Sequence, residues 1–247
     1  MPIFMFLLQF SYSLVSPFPS EVVDLNIPNS HIVEGKTPGY IVRGMRPRTD
    51  TDLDELLQIG ITDILIFKNS TIEDDSTEKE ISQLVEKGIK RKHIQVIPFQ
   101  WKDIDSFETA CLQTIDALNI MKSVSKKKSS NLFFHCTVGE DRTGYLAAMY
   151  KILFQKMSFT KAWNDEMCEN GYADGNPRKP KTVVAEIHKN ITPVFQKMLH
   201  KIKYGYISAD NLDKSECSFD PARSTTYKPI AKFTNCKPSS KYDPSIR

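Results

Sequence analysis

The chain of 247 residues lacks most of the features that mark a specialised protein. It has no run of 18 or more apolar residues, so no segment reads as a full membrane span or a stable anchor. It has little charge of one sign in excess: 33 basic residues against 30 acidic ones leave +3, where a dedicated nucleic-acid binder would show a strong basic bias. Ten glycines and 14 prolines are too few for a fibrous or low-complexity chain. There is no Cys-x-x-Cys pair and no clustered histidine spacing, so neither a metal site nor a cofactor is expected. At 40% hydrophobic and 26% charged, what remains is an ordinary folded domain with a normal core and tails.

The ends carry their own signals. The first sixteen residues, MPIFMFLLQFSYSLVS, have no charged side chain and are mostly apolar. Phe4 to Phe10 has the length of the apolar part of a secretory leader, and Ser11 and Ser13 offer small residues for cleavage, although no basic residue precedes them. Residues 1–20 are therefore expected to be a leader or an unstructured N-terminus, and the protein periplasmic or secreted. The alternative is a cytoplasmic protein with a packed N-terminal strand. Five cysteines, Cys111, Cys136, Cys168, Cys217 and Cys236, leave at least one thiol free. In an oxidising compartment Cys217 and Cys236 could pair and staple the polar C-terminal stretch, closing a loop worth about 3 kcal/mol, and in the cytosol both would be free thiols. Asn69-Ser70-Thr71 and Asn190-Ile191-Thr192 fit the glycosylation triplet.

Between residues 28 and 205, strand-like and helix-like patterns alternate. Strands are expected at Tyr40–Val42, Ile61–Phe67, His93–Pro98 and Asn131–His135, each a short apolar run. Helices are expected over 51–59, capped by Thr51, from Thr77 with Glu80 completing a capping box, and from Asp105 with Glu108 doing the same. Further helices follow at about 143–156, 159–170 and 182–203. This order implies an α/β fold with a mainly parallel sheet flanked by helices. Residues 206–247, rich in Ser, Lys, Pro and Asp, read as an irregular extension.

One segment carries chemistry. Residues 135–144 read His-Cys-Thr-Val-Gly-Glu-Asp-Arg-Thr-Gly and join a strand to a helix. A loop of that length can curl its backbone N–H groups around a tetrahedral oxyanion, and the next helix aims its positive end at the same point. Arg142 can grip two oxygens with its planar fork, which a lysine could not do. Cys136, at the base of that field, should be a thiolate at neutral pH and an in-line nucleophile toward a bound phosphate.

His135-Cys136-x-x-Gly139-x-x-Arg142-Thr143-Gly144 resembles the signature of the Cys-x5-Arg phosphatases, the superfamily of protein tyrosine and dual-specificity phosphatases. Val42-Arg43-Gly44-Met45-Arg46-Pro47 looks like the strand and turn that open the dual-specificity domain. Met157 to Gly171 looks like the helix after the catalytic one. The resemblance covers about 170 residues. It implies a cysteine-dependent phosphomonoester hydrolase with a cysteinyl-phosphate intermediate on Cys136. Arg142 would bind the phosphoryl oxygens, His135 would buttress the loop, and Thr143 would assist release of the intermediate. Thr137, Val138, Gly139, Glu140 and Asp141 would line the phosphate site.

The same chemistry needs a carboxylic acid to protonate the leaving oxygen. Trp101-Lys102-Asp103 resembles the family's Trp-Pro-Asp acid loop, with Lys in place of Pro. Two aspartates compete. Asp105 has a helix-capping job, which leaves Asp103 as the expected acid. The substrate is either a phosphotyrosine-type phosphoprotein or a phosphorylated small molecule such as an inositol polyphosphate, near the bacterial phytase-like branch. For the latter, Arg43, Arg46 and Arg48, with Lys102, Arg178, Lys179 and Lys181, could ring the pocket with cations. The competing reading from another class is a catalytically silent phosphate-binding module. Oligomeric state has no signature in the sequence.

Overall fold

Apolar residues change face at every step along the strands, and this alternation builds the layers. The structure is a computed structural model that describes residues 25–35, 39–69, 76–127 and 129–242. The expected leader, residues 1–20, lies outside them, as do Ser70 and Thr71 of the first glycosylation triplet. Five strands, β1 (His31–Glu34), β2 (Ile41–Met45), β3 (Asp63–Phe67), β4 (Ile94–Ile97) and β5 (Leu132–Cys136), form one sheet in the order β1-β2-β5-β3-β4. β1 runs antiparallel to β2 and the other pairs are parallel.

Leu65, Phe67, Leu132 and Phe134 enter the larger core on one face, while Ile64, Ile66 and Phe133 enter the smaller core on the other. This is the period of two that a doubly covered sheet requires. The smaller core is closed by α1 (Asp50–Gln58) and α2 (Ser76–Glu86). The larger one is closed by α3 (Phe107–Ser125), α4 (Asp141–Phe154), α5 (Phe159–Ala162) and α6 (Lys181–Lys203). The expected α/β architecture with a mainly parallel sheet is the observed one. The antiparallel edge strand β1 is an addition that the sequence patterns do not mark.

Several local expectations need correction. Thr49, not Thr51, caps α1: its side chain accepts from the Asp52 N–H while Asp52 reaches back to the Thr49 N–H. Ser106, not Asp105, caps α3, accepting from Thr109 N at 3.1 Å. Serine one residue later does the same work, because a cap needs only a short side-chain oxygen two or three residues before an orphan N–H. The single helix expected over 159–170 is α5, then a π-helical turn at Trp163–Met167 and a 3₁₀ turn ending at Gly171.

The C-terminal stretch is irregular, made of short 3₁₀ turns, yet it is closed down on the domain. Ile207, Cys217, Phe233 and Cys236 are buried in the larger core, with Phe233 against Trp163 and Phe195. Cys217 bonds to Cys111 on α3, and Cys236 bonds to Cys168 beside the π-helical turn. The expected Cys217–Cys236 pairing is therefore wrong. Each cysteine is carried by packing onto a different part of the domain, so each bridge staples the stretch to the core and not to itself. The second glycosylation triplet is also closed off: Asn190 donates to the Glu186 carbonyl at 2.9 Å, and the buried Thr192 hydroxyl pairs with Tyr172 at 2.8 Å.

Candidate active site

β5 delivers the motif to the C-terminal edge of the sheet, where an open α/β sheet makes its crevice. The strand ends at Cys136 and α4 begins at Asp141, so the intervening loop curls directly onto a helix N-terminus. Gly139 sits at φ +76°, and a Cβ there would meet the Gly44 carbonyl and Met45 N at 2.6 Å. Only glycine fits. The close approach seats the loop against the end of β2.

Cys136 is buried and is the free cysteine of the five; the other four are in disulfides. Burial pushes its thiol up, but the Arg142 charge and hydrogen bonds from the Thr143 hydroxyl and N–H outweigh that and hold it below the ordinary thiol range. The Thr143 hydroxyl also accepts from Cys136 N at 2.9 Å. Arg142 is buried, donating to the Phe99 carbonyl and to the Thr137 hydroxyl, each at 3.1 Å. The first bond ties it to the segment carrying the acid loop. The second places its fork at the pocket mouth.

A cleft of about 300 Å³ opens there, lined by Lys68, Asn69, Gln100, Trp101, Lys102, Asp103, Thr137 and Arg142. Asp103 thus shares a cleft with the arginine, while Asp105 lines a separate small groove with Ile104, Thr109 and Gln113. Asp103 is exposed and held at φ +52°, a left-handed conformation that is uncommon outside glycine and is concentrated at functional loops. Lys102 is exposed at the cleft, 5.8 Å from the Trp101 ring.

The acidic loop residues do not face that cleft. Glu140 Oε1 accepts from Asn176 at 3.0 Å and from the Tyr242 hydroxyl at 3.1 Å, and both Asp141 oxygens lie within 2.7 Å of Lys179 Nζ. Their carboxylates are turned onto the scaffold. Val138 is exposed, and its carbonyl accepts from Asn29 at 2.8 Å.

Of the arginine run Arg43, Arg46, Arg48, the first is not available to a substrate. Arg43 is fully buried: it donates to the Gly139 carbonyl at 2.7 Å and to the Glu166 carbonyl and carboxylate at 2.6 and 3.2 Å. It stands on a strand whose alternation turns it inward. Arg46 is half-buried near Glu80, whose carboxyl it helps lower, and Arg48 is exposed at the start of α1. Lys179, expected among the pocket cations, is instead the counter-ion of Glu140 and Asp141.

His135 is buried, with Nδ1 3.0 Å from the Cys136 carbonyl. Its Nε2 lies 2.7 Å from Glu80 Oε1, off the ideal hydrogen-bond line. In the sequence Glu80 has the look of a helix cap, and Asn29, Lys68, Glu166 and Tyr242 have no mark of a site at all. All five are brought in by tertiary packing, and no local spacing signals them.

No protein-family model and no curated relative matches the chain. Among solved structures it is similar to TpbA of P. aeruginosa, at 18% identity and a TM-score of 0.42 over 64% of this chain and 86% of that one. It is similar also to the catalytic core of the PP-IP phosphatase Siw14 from S. cerevisiae, at 16% identity and a TM-score of 0.46 over 74% and 97%. A third is Tk-PTP, at 15% identity and 0.41 over 66% and 98%. The likeness is one of fold, and the chemistry rests on this chain's own residues.

Proposed function

We propose that the protein is a phosphomonoester hydrolase that works through a cysteinyl-phosphate on Cys136. The observation that carries this reading is that one cysteine of five is kept free, and it is the one beneath Arg142 with its thiol held below the ordinary range. In the first step the Cys136 thiolate forms an S–P bond as the P–O bond to the leaving group breaks, and Asp103 gives its proton to the departing oxygen. Arg142 and the loop N–H groups take up the charge that develops on the phosphoryl oxygens. In the second step Asp103, now a carboxylate, takes a proton from water as the water oxygen attacks phosphorus. The S–P bond breaks, and the returning thiolate is received by the Thr143 hydrogen bonds.

The substrate is a phosphotyrosine-type group or an inositol polyphosphate, either of which suits a cleft with Lys68, Lys102 and Arg142 in its wall and Trp101 beside them. Two disulfides support action in an oxidising compartment, periplasmic or secreted. The test is metal-free phosphate release from a phosphotyrosine peptide, phytate and phosphoinositides, with Cys136→Ser beside the wild type. Release that vanishes in Cys136→Ser is expected, and the preferred substrate assigns the class. No release from any of them, with Cys136 verified as a free thiol, would leave a phosphate-binding module.

A further inference from the structure

Residues 236–242, far from the reactive loop in sequence, end against it in space. They are seated on residues 168–175: Cys236 is bonded to Cys168, the Ser239 N–H donates to the Gly175 carbonyl at 2.9 Å, and Lys241 Nζ donates to Asn170 Oδ1 at 2.7 Å. That seat carries Tyr242 onto the loop. Its hydroxyl lies 3.1 Å from Glu140 Oε1 and 3.2 Å from Asn29 Oδ1, and its one hydrogen faces both acceptors. Asn29 in turn donates through its amide nitrogen to the Val138 carbonyl at 2.8 Å. One phenol thus reaches both sides of Gly139, the acid after it directly and the carbonyl before it through Asn29. The fit is close, since a Cβ on Gly171 would collide with the hydroxyl and stand 2.9 Å from the Glu140 carboxyl carbon.

Glu140 is an acid that has to be held. It is the residue just before the first turn of α4, so its carboxylate stands at the positive end of a helix, where anions are favoured. Free to turn, it would take the place of a phosphoryl group there. Its side chain caps no N–H of that helix. Instead Lys179 meets Oε2 at 3.0 Å and Asn176 donates to Oε1 at 3.0 Å. Both of these come from the segment before α6, and Tyr242 adds a third contact from the C-terminal stretch. A hydrogen bond to a charged acceptor is among the stronger ones. Burial and the Glu140 charge push the Tyr242 phenol up, so it stays a donor at any working pH.

We propose that the C-terminal stretch is a working part of the site, with Tyr242 as a positioning residue of the reactive loop and the Cys168–Cys236 bridge as its tether. Tyr242 keeps the Glu140 carboxylate off the anion position and, through Asn29, steadies the Val138 carbonyl. The inference rests on the proposed function for the anion that the loop receives, and not for the state of the loop itself.

Cys136 is the free thiol, so its protection from iodoacetamide by inorganic phosphate reads the anion affinity of the full chain without turnover. Tyr242→Phe keeps the ring and removes only the hydroxyl. Its Tm should stay within a few degrees of wild type, while the half-protecting phosphate concentration rises about five- to tenfold. Amide hydrogens of residues 137–141 should exchange several-fold faster in the same variant. Replacing Cys168 and Cys236 together by serine should weaken phosphate binding in the same direction, and adding Tyr242→Phe to that protein should cost little more. A rise below about twofold in Tyr242→Phe overturns the proposal, and so does unchanged exchange, or a bridge and a hydroxyl whose effects simply add. If the bridge variant does not fold, Tyr242→Phe decides alone. Wild-type protein that phosphate does not protect would sink the proposed function, and the amide exchange would then decide this inference by itself.

Discussion

Lys179→Met removes a charge and little else, and its effect can be worked out in advance. Lys179 Nζ lies 2.6 and 2.7 Å from the two Asp141 oxygens, 3.0 Å from Glu140 Oε2 and 2.8 Å from the Gly171 carbonyl. Its side chain is 6% exposed, and those of Glu140 and Asp141 are 8% and 12% exposed. Methionine fills the same volume but leaves two carboxylates buried together without a counter-ion. Breaking a buried pair by removing one partner costs about 3–5 kcal/mol. For a chain of this size that is a fall in Tm of roughly 6–20 °C. Catalysis should suffer too, because Asp141 already opposes the Cys136 thiolate and would do so unscreened. Urea unfolding with Tm measurements gives the stability term, and Asp141→Asn provides the control. Asparagine keeps an oxygen for the Ala173 N–H, now 2.9 Å from Asp141 Oδ1, while deleting the charge. Asp141→Asn should destabilise the wild type and stabilise Lys179→Met, since the same charge is paired in one and stranded in the other. A Lys179→Met cost below about 1 kcal/mol, or an Asp141→Asn effect equal in both backgrounds, would refute the ion-pair account.

Three further outcomes are expected. Asp103→Asn should lower kcat about 10²–10⁴-fold on phosphate esters with poor leaving groups and far less on activated aryl phosphates, with Asp105→Asn near wild type. Asparagine tolerates the φ of +52° as aspartate does, so a loss reports the proton and not the backbone. Replacing Cys168 and Cys236 together by serine should cost about 4 kcal/mol by the chain-entropy argument for a separation of 68 residues, and should open residues 206–242 to protease. Unchanged Tm and protection would mean that the packing of Phe233 alone holds the stretch. For Glu166, burial raises the carboxyl but His31, Arg43 and Lys151 hold it far below the ordinary range. A depressed folded value means stability that is present above the unfolded value of about 4.3 and is lost as pH falls below it. Unfolding free energies between pH 5 and 2 should therefore fall less steeply in Glu166→Gln than in wild type.

The range of the forces involved decides how much of this is legible in the sequence. The sheet needs only apolar runs of strand length separated by helical periods, because local pattern decides which face of a strand is buried. The reactive loop is legible for the same reason: nucleophile, glycine and arginine are neighbours in sequence, and their chemistry depends on that spacing. α4 is less so, since it is enclosed on all sides and shows no polar stripe to mark its ends. The partners of the loop are not legible. Glu80 falls three residues after Thr77 and so imitates a capping box, yet its carboxylate is spent on His135 and Lys68. Arg43 and Lys179 read as pocket cations because charge is usually at the surface, and no local pattern around either names Gly139 or Asp141 as its target. Cysteine pairing fails likewise: nearness in sequence favours Cys217 with Cys236, and the packing of the C-terminal stretch chooses otherwise.

Those distant partners share one geometric effect. Arg43 holds the Gly139 carbonyl at 2.7 Å, Asn29 the Val138 carbonyl at 2.8 Å and His135 the Cys136 carbonyl at 3.0 Å. In a planar trans peptide the C=O and the following N–H point in opposite directions. Tying those three carbonyls to the scaffold therefore turns the N–H groups of Thr137, Gly139 and Glu140 away from the groups that hold them. The carboxylates of Glu140 and Asp141 would repel a phosphate if they turned with them, and Lys179, Asn176 and Tyr242 keep them on the scaffold side. On the proposed function, the anion site would thus be set by donors that never touch the anion. This is how a loop with two acids beside its arginine would present a positive face, and why Lys179→Met, outside the pocket, is expected to reach the nucleophile through Asp141.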